Sequence, residues 1–298
     1  MMKITSVKYM RDFYPAEMRL REWIEGNWRA ASERAGFEPW DAPIVEKLDL
    51  YKRKSGDEIV GQLYTITTRG GEELAIRPEM TPSLARMVSA RQAALPRPIK
   101  WYCVARMCRY ERGQRGRLRE FWQWNIDLLG VPGPIADAEV ISVALDGLAA
   151  CGLTADDIEV RINSRSLMGE LLLALGIPAD RHGAVYAVTD KRGKVPAEDL
   201  EKMYRELGFD PVTLERLLSI LACGTLGELK SGPVRWDYRG SGRLRAQLSE
   251  LFECLSAARA SRVCPLRHRH RSAAWLHGAG VRDLRPWRKL RGLWWRPV

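Results

Sequence analysis

Residues 121–128 constrain the fold more than any other stretch of the chain, because large apolar and polar side chains alternate there. One set of alternate positions holds the apolar residues Trp122, Trp124, Ile126 and Leu128. The other set holds Phe121, Gln123, Asn125 and Asp127. Successive side chains of a strand point to opposite faces, so the pattern predicts a strand with a buried tryptophan face and a polar face. This arrangement favours the wall of a polar binding site, and the solvated outer face of a sheet edge is the alternative.

Helices and strands are expected to alternate around this strand. Apolar residues at helical spacing, with Pro15 in the first turn, predict a helix over 15–36, and Pro43 lies in an extended segment over 37–50. Further patterns predict strands over 74–77 and 158–162, a strand pair within 99–130 joined by a loop at 111–117, and helices over 81–94, 136–150 and 164–175. Residues 180–232 are expected to be mostly helical. An antiparallel strand pair among helices predicts an α+β fold.

The loop between the paired strands, with the start of the second strand, carries four arginines: Arg112, Arg115, Arg117 and Arg119. Guanidinium groups this close repel one another unless an anion or an acidic partner is bound, and arginine is suited to bidentate contact with phosphate. Gly113 and Gly116 allow the loop to bend over a ligand. The cluster therefore favours a phosphate-bearing ligand, and a solvated charged loop is the alternative.

The net charge of +11 is concentrated at one end of the chain. Residues 256–298 hold ten arginines and Lys289 against one acid, Asp283, while the first 255 residues carry 37 basic and 36 acidic side chains. The body of the chain is thus nearly neutral.

The six cysteines form no CxxC pair, and no segment has the apolar length of a membrane span or the pattern of a secretory signal. We therefore expect a cytoplasmic protein with buried or incidental thiols.

Residues 109–123, Arg-Tyr-Glu-Arg-Gly-Gln-Arg-Gly-Arg-Leu-Arg-Glu-Phe-Trp-Gln, resemble motif 2 of class II aminoacyl-tRNA synthetases in the form typical of histidyl-tRNA synthetases. Three further parts of the chain agree with that family: its opening at 10–15, its histidine-binding stretch at 75–82, and patterns of its insertion domain at 163–165 and 189–191. The Pro43 segment is similar to motif 1. The resemblance covers residues 8 to about 255. It implies a class II antiparallel sheet flanked by helices, with a core over 1–175, a helix-rich insertion over 176–235 and a return to the core over 236–255.

The resemblance also implies roles for single residues. Arg109 would be catalytic, binding the ATP α-phosphate and the substrate carboxylate, and Glu111 and Arg117 would bind ATP. The histidine-binding set would be Glu79, Met80, Thr81, Arg109, Gln123 and Asp127. A free histidine presents an ammonium group and an imidazole that wants both a donor and an acceptor, which suits these side chains. Gly113 replaces the proline usual in the family, which affects the rigidity of the loop and leaves its charge unchanged.

The activity implied is that of a histidine–tRNA ligase, which forms histidyl-adenylate from histidine and ATP with Mg²⁺ and transfers histidine to the 3′ end of its tRNA. The resemblance implies no prosthetic group and no protein-bound metal, and a homodimer formed through the motif 1 region. The alternative is the ATP phosphoribosyltransferase regulatory subunit, a non-catalytic paralogue that senses histidine. The loop arginines favour the synthetase, because a histidine sensor has no triphosphate to hold.

The tail over 256–298 lacks two segments that the family has there, an RGLxYYTG sequence and a glycine-rich motif 3. Codons compatible with residues 263–298, read in shifted frames, can spell YVRFDIGI, VRGLA and YTGxVFEIFDRGGSFAGFGGGRY. We therefore expect a frame-disrupted, irregular tail, no C-terminal anticodon-binding domain, and no activity in the chain as written. The alternative is a genuine nucleic-acid-binding extension, which would make the chain a basic RNA-binding module.

Overall fold

The structure, a computed structural model, describes residues 4–52, 61–110, 118–154, 156–158, 160–162, 164–223, 228, 241–257 and 266–268. The chain forms two compact units that divide between Val131 and Pro132. We call the described residues up to Val131 the first unit and those from Pro132 onward the second unit. This division by contacts differs from the expected division at 175, which follows the family's functional parts.

The first unit combines two fully described helices and a helical segment over 48–52 with two small sheets. Its helices are α1 (Pro15–Arg34) and α2 (Thr81–Ala90). Its strands are β1 (Glu38–Pro39), β2 (Val45–Lys47), β3 (Tyr64–Thr67), β4 (Glu73–Ile76), β5 (Ile99–Cys108) and β6 (Glu120–Leu129). One sheet has the order β1-β5-β6, with β1 parallel to β5 and β5 antiparallel to β6. The other is antiparallel, in the order β2-β4-β3.

The second unit is mainly helical. Its helices are α3 (Pro134–Ala150), α4 (Arg165–Ala174), α5 (His182–Thr189), α6 (Ala197–Glu206), α7 (Pro211–Ala222) and α8 (Ser241–Ala257). Its strands β7 (Val160–Ile162) and β8 (Leu266–His268) pair in parallel. A single apolar cluster joins most of these helices, and its fully buried side chains include Leu172, Leu217 and Leu255. This agrees with the α+β fold expected from the sequence.

Local sequence signals account for several element boundaries. Pro15 begins α1, and Gly36, with φ of +77°, follows its end in the left-handed conformation that glycine adopts without steric cost. Pro211 begins α7, where the Asp210 carboxylate accepts hydrogen bonds from the backbone N–H groups of Val212 and Thr213. The helices expected over 15–36 and 136–150 are therefore confirmed to within two residues.

Other boundaries differ from expectation. Helix α2 ends at Ala90, four residues earlier than expected, and a turn over 91–95 follows it. Pro43 precedes β2 instead of lying within a strand, and residues 48–52 are already helical. Strand β3 was not expected, because its short Tyr-Thr-Ile-Thr sequence gives little signal. In the tail, which was expected to be irregular, α8 extends to Ala257 and residues 266–268 form β8.

The described residues contain neither a membrane-spanning helix nor a disulfide bond. Within the part of the chain that the structure describes, no helix is both long enough and apolar enough to span a bilayer. The five described cysteines are free thiols, and Cys103 and Cys108 are buried in β5.

Candidate functional site

The β5–β6 hairpin carries the two faces that the sequence predicts. Gln123, Asn125 and Asp127, which we call the polar face, pair in the antiparallel register with Ala105, Cys103 and Trp101 of β5. Directly paired residues lie on the same side of a sheet, so the small side chains of Ala105 and Cys103 and the larger ring of Trp101 flank the polar ones. Asn125 and Asp127 are almost fully buried, at 3% and 6% exposure. Their burial excludes the solvated outer face as an interpretation of the pattern.

The opposite side of β6, the tryptophan face, is covered by α1. The Trp124 ring stacks on Trp28 with centroids 5.4 Å apart, and Trp124 Nε1 donates a hydrogen bond of 3.0 Å to Ser32 Oγ. Trp122 lies against Phe13 and is only half-buried, as is Trp124, whereas both were expected to be buried. At Trp122, part of the cover consists of the Arg21 and Arg106 guanidinium groups, 4.2 and 4.3 Å from the ring centre, instead of apolar side chains.

The stretch between β4 and α2 lies against the polar side of the hairpin. Met80 is fully buried among Cys103, Ala105 and Met107 of β5. Because Glu79 and Thr81 flank Met80, this packing fixes both of them near the same side, and their side chains are 5% and 3% exposed. The structure thus brings this expected histidine-binding stretch to the polar face.

Arg109 follows the last residue of β5 and connects the stretch between β4 and α2 with the β5–β6 hairpin. Its Nε donates a hydrogen bond of 2.9 Å to Pro78 O, and its guanidinium carbon lies 5.3 Å from the centre of the Phe121 ring. Its backbone N–H donates to Arg119 O at 2.8 Å, which closes the end of the hairpin. Arg109 therefore stands between the Pro78–Thr81 stretch and the strand that bears the polar face.

Hydrogen-bond acceptors dominate the site. Among the described residues, no hydrogen-bond partner reaches Gln123 Oε1, Asn125 Oδ1 or Thr81 Oγ1. The carboxyl groups of Glu79 and Asp127 add negative charge under nearly complete burial. Burial raises the pKa of the Cys103 thiol, and the Asp127 carboxylate raises that pKa further, so the field of Asp127 extends over this face. Such an environment favours a ligand that presents N–H donors and positive charge.

The base of the arginine-rich loop that follows β5 is described only in part. Arg119 begins the return into β6, with its guanidinium 4.0 Å from the Tyr110 ring centre and 5.4 Å from that of Tyr9. Tyr9 has φ of +66°, uncommon for a tyrosine, and its carbonyl accepts the Arg119 N–H at 2.9 Å. The expected ATP-binding residues Glu111 and Arg117 lie outside the described residues, with Arg112 and Arg115.

Two residues of the site were missed by sequence reasoning. Asn125 had the signal, since it lies on the polar face between Gln123 and Asp127, but it was not assigned to the binding set. Arg77 gave no signal beyond its position before Pro78, yet it is 3% exposed and bonded to the backbone of two distant segments, 42–44 and 106–108. No local pattern reveals a contact made across such distances in sequence.

Two solved structures share this fold over most of the chain. A histidyl-tRNA synthetase from Nostoc aligns with a TM-score of 0.75 at 18% identity, covering 94% of this chain and 63% of that one. A Bacillus halodurans protein described as an ATP phosphoribosyltransferase regulatory subunit/histidyl-tRNA synthetase gives 0.75 at 19% identity, covering 90% and 69%. At such identity these similarities establish the fold, that of an aminoacyl-tRNA synthetase of the histidyl type.

The sequence comparisons are more specific. The histidyl-tRNA synthetase family model matches residues 9–267, extending twelve residues past the expected limit of about 255. The chloroplastic/mitochondrial histidine–tRNA ligase of Arabidopsis thaliana is 39% identical over 248 residues, which is 82% of this chain and 49% of that protein. The enzyme of Opitutus terrae is 42% identical over 87% of this chain and 59% of its own length. The chain belongs to the histidyl-tRNA synthetase family, and it spans about half the length of the curated relatives it matches.

Proposed function

We propose that this chain carries the amino-acid-activating region of a histidine–tRNA ligase. Histidine and ATP react there to give histidyl-adenylate and pyrophosphate, and the histidyl group then passes to the 3′ end of the tRNA. The observation that carries the proposal is the juxtaposition of a buried, acceptor-lined polar face with Arg109. This pairing suits a substrate with an ammonium group and imidazole N–H at one end and a reacting carboxylate at the other.

The residues act by binding and orienting the substrates. The nitrogen atoms of histidine donate hydrogen bonds to Glu79, Thr81, Gln123 and Asp127. Met80, which is buried against β5, supports this set. Arg109 directs the histidine carboxylate toward the α-phosphorus of ATP and offsets the negative charge that develops there. The carboxylate oxygen forms the new bond to phosphorus as the bond to pyrophosphate breaks, so the protein supplies no nucleophile.

The nucleotide would be held mainly by the loop that follows Arg109. Glu111 contacts the adenine side of ATP, and Arg117 contacts its phosphates. Mg²⁺ bound with ATP supplies further neutralisation of phosphate charge. This assignment rests on the family membership and on the arginine-rich sequence of the loop, and the protein would act in the cytoplasm with the rest of the translation machinery.

A homodimer is the second part of the proposal. Val45 and Ile66 lie on one side of the β2-β4-β3 sheet by register, at 38% and 41% exposure, and Ile44 before β2 is 60% exposed. An exposed apolar face of this kind favours association with another protein surface. We propose that the second copy of the chain covers it. Sedimentation of the chain should show a dimer, which Val45→Glu combined with Ile66→Glu should convert to a monomer.

Histidine-dependent exchange of pyrophosphate into ATP tests the activity. The measurement is made on the 298-residue chain and on a frame-restored enzyme, encoded by a gene whose reading frame is corrected over codons 256–298. We expect exchange only from the frame-restored enzyme. Robust exchange from the 298-residue chain would contradict the frame-disruption hypothesis. Absence of exchange from the frame-restored enzyme, together with binding to a phosphoribosyltransferase, would favour the regulatory-subunit alternative.

A further inference from the structure

Arg77 is a buried charge that contacts none of the side chains assigned to the substrates. Its side chain is 4% exposed and makes three hydrogen bonds. Nε donates to Arg106 O at 2.9 Å, and Nη1 donates to Asp41 Oδ1 at 2.6 Å and to Ala42 O at 2.7 Å. Burying a guanidinium is costly unless its donors are satisfied. The contacts therefore fix Arg77 to two distant segments of the first unit.

The backbone of Arg77 contacts the same two segments. Its N–H donates to Ile44 O at 2.9 Å, and its carbonyl accepts from the Cys108 N–H at 3.0 Å. Side chain and backbone together connect the segment before β2, the end of β4 and the end of β5. Few single residues could hold three segments in this way, because the planar fork of arginine reaches several acceptors at fixed angles.

The position of Arg77 determines where the site begins. Pro78 follows it directly, and Pro78 O accepts the hydrogen bond from Arg109 Nε at 2.9 Å. Proline has a fixed φ angle, so the orientation of the Arg77–Pro78 peptide largely determines where that carbonyl points. Glu79 and Thr81 follow within four residues. A displacement of Arg77 would therefore move the acceptor that orients Arg109 and the edge of the histidine pocket together.

We propose that Arg77 is a positioning residue for amino-acid activation, acting through Pro78 on Arg109 and on the Glu79–Thr81 edge of the pocket. This role rests on the proposed function and adds to it a dependence of the site on the segment before β2. Asp41 is the exposed end of that connection, with 69% of its side chain accessible. Solvent screens the charge of so exposed a carboxylate, so Asp41 acts on Arg77 mainly as a hydrogen-bond acceptor.

The first test is amide hydrogen exchange on the 298-residue chain, which needs no activity. Arg77→Met should speed exchange of the Arg77 and Cys108 amides and of the first turn of α2 about tenfold, since each loses direct or adjacent hydrogen-bond support. Arg86→Met is the matched control, because Arg86 also forms a 2.6 Å ion pair, with Glu46, without contacting β5. Equal protection in wild type and Arg77→Met would overturn the proposal. If Arg77→Met does not fold, Arg77→Lys is read in the same way.

The second test is a double-mutant cycle in the frame-restored enzyme, followed by pyrophosphate exchange. Arg77→Met and Arg109→Ala should each lower turnover, and the double variant should be no slower than Arg109→Ala alone, because Arg77 acts through Arg109. Asp41→Asn, which keeps the acceptor oxygen, should restore most of the turnover lost in Asp41→Ala. Additive losses would show that Arg77 is merely structural and would overturn the proposal. If wild type shows no exchange, the proposed function fails, and the amide-exchange test still decides the role of Arg77.

Discussion

The two units differ in what they bury. The second unit is organised around one continuous apolar cluster, and its only fully buried polar residue among those the structure describes is Thr189, which is hydrogen-bonded to Tyr204. In the first unit, three apolar clusters of the described residues hold only three or four buried side chains each. Between and beside them lie seven buried polar or charged residues: Ser32, Arg77, Glu79, Thr81, Ser83, Asn125 and Asp127.

This difference separates stability from function. Burying polar groups costs free energy unless each finds a partner, so a chain selected for stability alone would not gather them in one place. Six of the seven in the first unit lie on the polar face or in the stretch over 77–83, and the exception is Ser32 of α1, which bonds Trp124 on the opposite side of β6. The second unit instead buries mainly apolar side chains, which pack against one another between its helices. Substitutions in the two units should accordingly change different quantities.

The largest effect on stability is expected in the second unit. Leu217 of α7 is fully buried, so Leu217→Ala should lower the free energy of unfolding by about 2–5 kcal/mol. Chemical denaturation followed by circular dichroism measures this loss. Glu215→Ala, at an exposed position of the same helix, should change stability by less than about 0.5 kcal/mol. The comparison would fail if Leu217→Ala raised the histidine KM as strongly as a substitution on the polar face.

The largest effect on catalysis is expected at Arg109. In the frame-restored enzyme, Arg109→Ala should lower the turnover of pyrophosphate exchange about 10²–10³-fold, because it removes a donor that meets charge developing at phosphorus. Arg106→Ala provides the control, since Arg106 is three residues earlier and lies on the tryptophan side of the hairpin. Similar losses in both variants would contradict the assignment of the two faces.

Substitutions on the polar face should act on binding. Gln123→Ala and Asp127→Ala should each raise the histidine KM by about 5–150-fold, corresponding to roughly 1–3 kcal/mol for a buried hydrogen bond to substrate. The KM for ATP should change far less. Trp124→Phe, on the opposite side of the same strand, removes the hydrogen bond to Ser32 and should lower stability while leaving the histidine KM unchanged. Equal changes in both KM values would mean that the two faces of β6 have been assigned wrongly.

The site was predictable from the sequence to the extent that it is local. The period-two pattern of 121–128 identified both faces of β6, and the helices with proline at the first turn were placed within a few residues. The pattern did not show how deeply each face is covered. Trp122 and Trp124 are half-buried beneath α1, which carries Arg21, and beneath Arg106 of β5, and those contacts join residues 16, 96 and 101 positions apart.

The parts that escaped prediction depend on contacts between distant segments. Arg77 connects residues 41–44 with 106–108, and neither segment has a sequence pattern that indicates contact with the other. Strand β8 is defined by its parallel pairing with β7, about a hundred residues earlier, and its own sequence has no strand period. Glu111 and Arg117 lie outside the described residues, so their roles stay predictions from the resemblance.

The smallest effect is expected at Asp137 of α3, whose partly buried carboxyl should lower the stability of the second unit when it is ionised. Burial raises the pKa of Asp137 in α3 from 3.8 to about 6, although a helix N-terminus favours the charged form. The folded state therefore holds the proton more tightly than the unfolded state, so stability is greatest below pH 4, falls as the pH rises toward 6, and stays lowered above it. Asp137→Asn should recover about 1 kcal/mol at pH 7.5, a figure reduced from the full shift because the side chain is partly exposed. It should change little at pH 4.

Thermal unfolding at the two pH values measures this difference. Asp146→Asn, on the exposed side of the same helix, should shift the melting temperature equally at both. A shift for Asp137→Asn that is the same at pH 4 and pH 7.5 would show that the carboxyl is well solvated. Burial of a charged group would then be confined to the first unit, where Arg77, Glu79 and Asp127 surround the proposed substrate site, and the contrast between the two units would be sharper than proposed.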